Sequence, residues 1–126
     1  MAAMSLTVAR AFVDAINRRS PDEIAGLMTE DHVFIDSLGM RVTGREQMRK
    51  GWEAYFRMVP DYSITVEETF GNDSVVVMLG SAQGTYAGTG WRTPGAWRAV
   101  VRQSLLAEWR VYADNEPIRQ LMRKTD

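Results

Sequence analysis

The sequence contains no cysteine and one histidine, His32, in 126 residues. The first absence excludes disulfides, thiolate metal sites and a cysteine nucleophile, and it fits a reducing cytoplasm. With a single histidine, and no His or carboxylate pair spaced i, i+4 on a pocket-facing stripe, no metal-ligand pattern is present. Gly-x-Gly-x-x-Gly and phosphate-loop patterns are also missing: Gly84, Gly88 and Gly90 fall in a strand and turn rather than ahead of a helix. No metal or other cofactor is expected. Neither sign of charge dominates, since 15 Lys+Arg stand against 16 Asp+Glu for a net charge of -1. No global field therefore draws the chain to nucleic acid or to an anionic membrane. No apolar run approaches the roughly 20 residues of a membrane span. The start, Met1-Ala2-Ala3-Met4, lacks the basic-then-apolar build of a secretion signal, and the expectation is a cytoplasmic protein.

What is present describes one globular domain over residues 1–126, with 45% hydrophobic and 25% charged side chains and no linker, repeat or low-complexity stretch. Ser5 can cap a first helix in which Leu6, Ala9, Phe12, Val13 and Ile16 form one apolar stripe, ending near Arg19. Ser20-Pro21-Asp22-Glu23 is a capping box with proline at the first helical position, opening a short second helix through about Met28. From His32 the period falls to two: Val33 and Ile35 alternate with Phe34 and Asp36, and Ser37-Leu38-Gly39-Met40 turns toward Arg41-Val42. Gly44-Arg45-Glu46 opens a third helix with Met48, Trp52, Tyr55, Phe56 and Val59 on one face, and Pro60 helps to stop it.

Beyond Pro60 the pattern is strand. Tyr62, Ile64 and Val66 alternate with Ser63, Thr65 and Glu67, Gly71-Asn72-Asp73 turns, and Val75 to Tyr86 is a long strand with bends at Gly80 and Gly84. Gly88 to Gly95 reads as a loop, Trp97 to Arg102 and Ala107 to Asn115 as a final hairpin, and Pro117 onward as a short amphipathic tail. The order implies an α+β fold, a cone-shaped curved antiparallel sheet wrapped around helices, which leaves room for a pocket.

Three segments carry a resemblance: His32-Val33-Phe34-Ile35-Asp36-Ser37, the helix entry Val42-Thr43-Gly44-Arg45-Glu46, and the terminal strand Glu108-Trp109-Arg110-Val111-Tyr112-Ala113-Asp114-Asn115-Glu116-Pro117. Together they resemble the nuclear transport factor 2-like (cystatin-like) superfamily, specifically SnoaL-like polyketide cyclases and ketosteroid isomerases, over nearly the whole chain. The superfamily holds isomerases, cyclases, epoxide hydrolases, dehydratases and non-catalytic binding modules, so the resemblance is specific for fold. It implies that Asp36 stands where ketosteroid isomerases keep their general base. The oxyanion donors of those enzymes match Phe12 and Trp97 here, neither of which is the expected tyrosine or acid. The epoxide-hydrolase acid on the terminal strand matches Val111, which sets that activity lower. SnoaL-like cyclases use a pocket acid, for which Asp114 is the second candidate.

A carboxylate enclosed by Phe34, Trp52, Tyr55 and Trp109 loses hydration and becomes a better proton acceptor, so Asp36 suits enolisation or aldol-type closure. A second reading stays open, in which Asp36 merely starts the turn at Ser37-Leu38-Gly39. Asp114 or Asn115 likewise can cap the tail helix, and His32 can bond backbone at the strand start instead of serving catalysis. Phe12, Trp52, Tyr55, Trp97, Trp109 and Tyr112 are candidates for lining a pocket for a flat hydrophobic small molecule, or for plain core. Arg98, Arg102 and Arg110 alternate onto the outer face of the sheet, where a homodimer is expected. The expected activity is a cofactor-independent isomerase or cyclase acting on a hydrophobic carbonyl compound. The alternative from another class is a non-catalytic small-molecule-binding or dimerisation module.

Overall fold

The computed structural model describes residues 3–114 and 116–125. Helix α1 (Ala3–Asn17) buries the expected stripe, with Ala9, Phe12, Val13 and Ile16 all sequestered. Ser5 does not cap it. The side chain lies inside the helix, fully buried, and its hydroxyl donates to the Asn72 carbonyl at 2.6 Å. At the other end Asn17 exchanges two hydrogen bonds with the Ile64 backbone, Nδ2 to O at 2.9 Å and N to Oδ1 at 2.8 Å. The helix is thereby pinned at both ends to one strand and the turn that follows it.

Helix α2 (Pro21–Gly26) starts as its capping box requires, Ser20 Oγ accepting the Glu23 N–H at 3.3 Å. It stops at Gly26, two residues before the expected end, because Met28 is already the first residue of β1 (Met28–Ile35). β1 turns into the short β2 (Arg41–Thr43), and α3 (Arg45–Met58) follows. Val59 ends α3, its N–H reaching the Tyr55 carbonyl at 2.8 Å, and Pro60 has no N–H with which to continue.

Four long strands come next: β3 (Ser63–Gly71), β4 (Val75–Tyr86), β5 (Thr89–Arg102) and β6 (Leu105–Ala113), then α4 (Glu116–Thr125). The sheet order is β2-β1-β6-β5-β4-β3. Every pairing is antiparallel except β1 with β6, which is parallel, with Phe34 opposite Trp109. The sheet is thus mixed, and a strand from the start of the chain sits beside its last strand. Gly80 explains the bend of β4: a Cβ there would stand 1.8 Å from the Thr65 carbonyl oxygen, beside the register shift between Val66 and Glu68. The helices and the inner sheet face enclose a core of Phe12, Ile16, Ile24, Met28, Val76, Met78 and Leu106.

The segment from Gly88 to Gly95 is strand, not loop. Ala87 and Gly88 form a two-residue turn at φ 49° and 85°, and Thr89 to Gly95 then pair in unbroken register with Tyr86 to Gly80. Pro94 fits because β6 ends at Ala113, opposite Gly95, so no ladder bond is needed on that side. Asn115, included in the expected last strand and named as a cap, lies outside the described residues.

Candidate functional site

Between α3 and the inner face of the sheet lies a cavity of about 620 Å³. Its deepest lining is Ala82 of β4, Trp97 of β5 and Trp109 of β6, the two indoles 1% and 0% exposed. Their ring centroids are 6.5 Å apart and nearly parallel, at 17°. A second aromatic group runs along α3 and across to β5. Trp52 meets Tyr55 at 6.4 Å and 88°, Tyr55 meets Tyr62 at 5.0 Å and 87°, and Tyr62 meets Trp91 at 6.1 Å and 33°. All four tryptophans of the sequence therefore line one space. Their indole N–H groups are buried with no acceptor among the described residues. The more exposed lining gathers the polar side chains: Asp36 and Ser37 from the end of β1, and Gln47 and Lys50 from α3, with Val42 beside them.

Burial without a counter-charge raises the Tyr55 phenol to about 12 and pushes Tyr62 higher still, the latter also through the neighbouring Tyr55. With ionisation shifted this far up both are protonated at neutral pH, and among the described residues neither hydroxyl makes a hydrogen bond.

Asp36 does line the cavity, but aromatic rings do not enclose it as expected. It is half-buried, and its Oδ1 accepts the backbone N–H groups of Leu38 and Met40, each at 2.9 Å. One carboxylate oxygen builds the β1–β2 turn, and the other receives no protein donor among the described residues.

Of the other expected site residues, Trp52, Tyr55, Trp97 and Trp109 line the cavity, and His32, Phe12, Asp114 and Tyr112 do not. His32 is fully buried behind the cavity floor. Its Nδ1 lies 2.7 Å from the Leu106 carbonyl, an acceptor only, so Nδ1 carries the proton, and desolvation lowers its pKa. Phe12 packs against both, 6.0 Å from the His32 ring and 4.9 Å from that of Trp109, which stands between it and the cavity. Asp114 is exposed, and its Oδ1 accepts the Glu116 N–H at 3.0 Å, the capping arrangement for α4. Tyr112 is 48% exposed on the outer face, beneath the Arg110 guanidinium at 4.9 Å. There Arg98 pairs with Glu108, and Arg102 with Asp31.

Trp91, Tyr62, Lys50 and Gln47 were missed. Trp91 hid in a stretch whose glycines and proline read as loop. Tyr62 shared the alternating pattern of Ile64 and Val66, which gives a side chain's face but not what it meets. Lys50 and Gln47 lie just off the apolar stripe of α3. Among the described residues no three His, Cys, Asp or Glu side chains gather as a metal site would need, and no helix is long and apolar enough to cross a membrane.

The family model for the SnoaL-like domain matches residues 9–109. No curated protein matches the sequence. Among solved structures, a polyketide cyclase candidate from Xanthomonas campestris pv. campestris is similar with a TM-score of 0.85 at 15% identity, over 98% of each chain. An epoxide hydrolase from M. tuberculosis, of the type abbreviated LEH-like, is similar with a TM-score of 0.84 at 14% identity, over 97% of this chain and 92% of that one. A protein of ketosteroid isomerase-like fold from Catenulispora acidiphila, in complex with trimethylamine, gives 0.77 at 20% identity over 83% of each. These likenesses establish the shared fold.

Proposed function

The chain belongs to the SnoaL-like domain family, and from that premise we propose that it is a cofactor-independent isomerase or cyclase acting on a flat hydrophobic carbonyl compound. The observation that carries this reading is the pairing, in one aromatic cavity, of a fixed carboxylate and two phenols, with one carboxylate oxygen and both hydroxyls unengaged among the described residues. Tyr55 and Tyr62 would donate to the ligand carbonyl, which makes the adjacent C–H more acidic. Asp36 would take that proton on Oδ2. Returning it to a different carbon is isomerisation. If the enolate instead attacks a second carbonyl of the same ligand, a C–C bond forms, and Asp36 protonates the resulting alkoxide to complete ring closure.

The donors in this scheme come from α3 and the residue just before β3. The positions matched to the ketosteroid isomerase donors hold Phe12, outside the cavity, and Trp97, in its floor. Val111, matched to the epoxide-hydrolase acid, lines the cavity as an apolar side chain, which supports setting that activity below the other two. A second reading, a binding module without catalysis, is favoured by one observation: the Asp36 oxygen that holds the turn gives the residue a structural reason to be present.

Hydrogen–deuterium exchange of the α-protons of a cyclic aryl ketone in D2O, followed by NMR, separates the two. The enzyme reading expects exchange accelerated by the wild-type chain and suppressed roughly 100-fold or more in Asp36→Asn. The binding-module reading expects ligand line-broadening with no acceleration.

A further inference from the structure

We propose that the ligand of this cavity is an anion, its flat apolar body in the aromatic cone and its carboxylate at the mouth on Lys50 and Gln47. The inference deepens the reading that the cavity takes a flat hydrophobic carbonyl compound, and it rests on that reading.

The pairing of charges along α3 carries it. Arg49 holds the Glu46 carboxylate through Nε and Nη2 and also reaches Glu53 and Asp22. Arg57 takes the other oxygen of Glu53, and Arg45 reaches Glu30. Lys50 stands four residues after Glu46, the favoured spacing for a helical ion pair; it helps to lower the Glu46 pKa through space, yet Arg49 takes the contact and no salt bridge joins Lys50 to a carboxylate among the described residues. The arginines satisfy the acids of the outer face, and the lysine stem instead forms part of the cavity wall. Among the described residues, Lys50 is the only Lys, Arg or His in the cavity lining.

The rest of the polar lining points the same way. Tyr55 and Tyr62 have hydroxyl hydrogens to donate, and the amide of Gln47 can donate as well as accept. Among the described residues the one carboxylate in the lining, Asp36, already has Oδ1 engaged by two backbone N–H groups. A lining rich in donors suits a ligand rich in acceptor oxygens. Because Lys50 is exposed, a carboxylate resting on it keeps part of its hydration, so the heavy desolvation penalty of a buried ion pair does not arise.

The test compares 2-naphthoate with 2-naphthamide, which share ring and carbonyl and differ in charge, by quenching of tryptophan fluorescence at neutral pH and low salt. The expected result is naphthoate binding roughly two- to fivefold more tightly. That ratio should fall to about one in Lys50→Gln, persist in Lys50→Arg, and shrink with added salt. Melting curves of these surface variants check that the fold is intact. Amide binding with no preference for the acid, or an unchanged ratio in Lys50→Gln, overturns the proposal and leaves the cavity reading standing. Failure of both probes to bind overturns the cavity reading, and this inference with it.

Discussion

Tyr55 and Tyr62 meet edge to face inside the cavity, their ring centroids 5.0 Å apart and their planes at 87°. Burial raises Tyr55 to about 12 and Tyr62 beyond it. Folded values above the unfolded value of about 10 leave their contribution to stability complete below pH 10; the Tyr55 contribution is lost as pH rises from about 10 to about 12, and the Tyr62 loss continues beyond that. Absorbance titration of the phenols should therefore show two of the four tyrosines ionising late. Tyr55→Phe should lose one late transition and part of the alkaline destabilisation.

His32 gives the opposite dependence. Desolvation lowers its folded pKa, so its contribution is complete above the unfolded value of about 6.5 and is lost as pH falls below it. Its imidazole resonances, unique in a chain with one histidine, should titrate at a lower pH in the folded protein than in the unfolded chain. Unfolding midpoints should begin to fall once the pH drops below about 6.5. Asp31, Glu46, Asp61 and Glu116, whose pKa values are lowered by hydrogen bonds to neighbouring side chains, lose their contributions only in more acid solution.

Asn17 joins α1 to β3 through both hydrogen bonds of the Ile64 peptide. Asn17→Ala leaves both groups without their partner and should cost about 1–3 kcal/mol in denaturant unfolding. Ligand binding in the cavity should persist at temperatures where the variant is folded.

Gly95 makes room for the cavity floor. A Cβ at this position would lie 3.0 Å from Cη2 and 3.1 Å from Cζ2 of Trp97, with Ala113 behind it at 3.6 Å. Gly95→Ala should displace that indole, shift the tryptophan emission, and cost about 1–3 kcal/mol as overpacking. It should also change which ring sizes the cavity accepts. Unchanged emission and selectivity would show that the indole keeps its place despite the added methyl.

The sequence made some of this legible and hid the rest for physical reasons. Local periodicity was enough for α1, α3 and β4, and for Ser20 as the cap of α2, because each signal lies within a few residues. It placed Trp52 and Tyr55 on one face of α3, and both line the cavity. The parallel pairing of β1 with β6 joins Phe34 to Trp109 across the chain, and no local pattern encodes it. Trp91 was obscured because glycine and proline usually break strands, whereas here a tight Ala87-Gly88 turn and a strand stretch without a second neighbour accommodate them. Phe12 and Trp109 share the same apolar signature, and only three-dimensional stacking decides that Trp109 meets the cavity and Phe12 lies behind it. The dual use of Asp36 follows from having two carboxylate oxygens, which a one-letter reading treats as one group.

The proposed acid/base role of Asp36 is tested most directly by α-proton exchange of a bound aryl ketone in wild type and in Asp36→Asn, which keeps an oxygen for the Leu38 and Met40 N–H groups but removes the base. The account predicts intact folding, retained ketone binding and exchange lowered by roughly 100-fold or more. Equal exchange rates in the two proteins would contradict it.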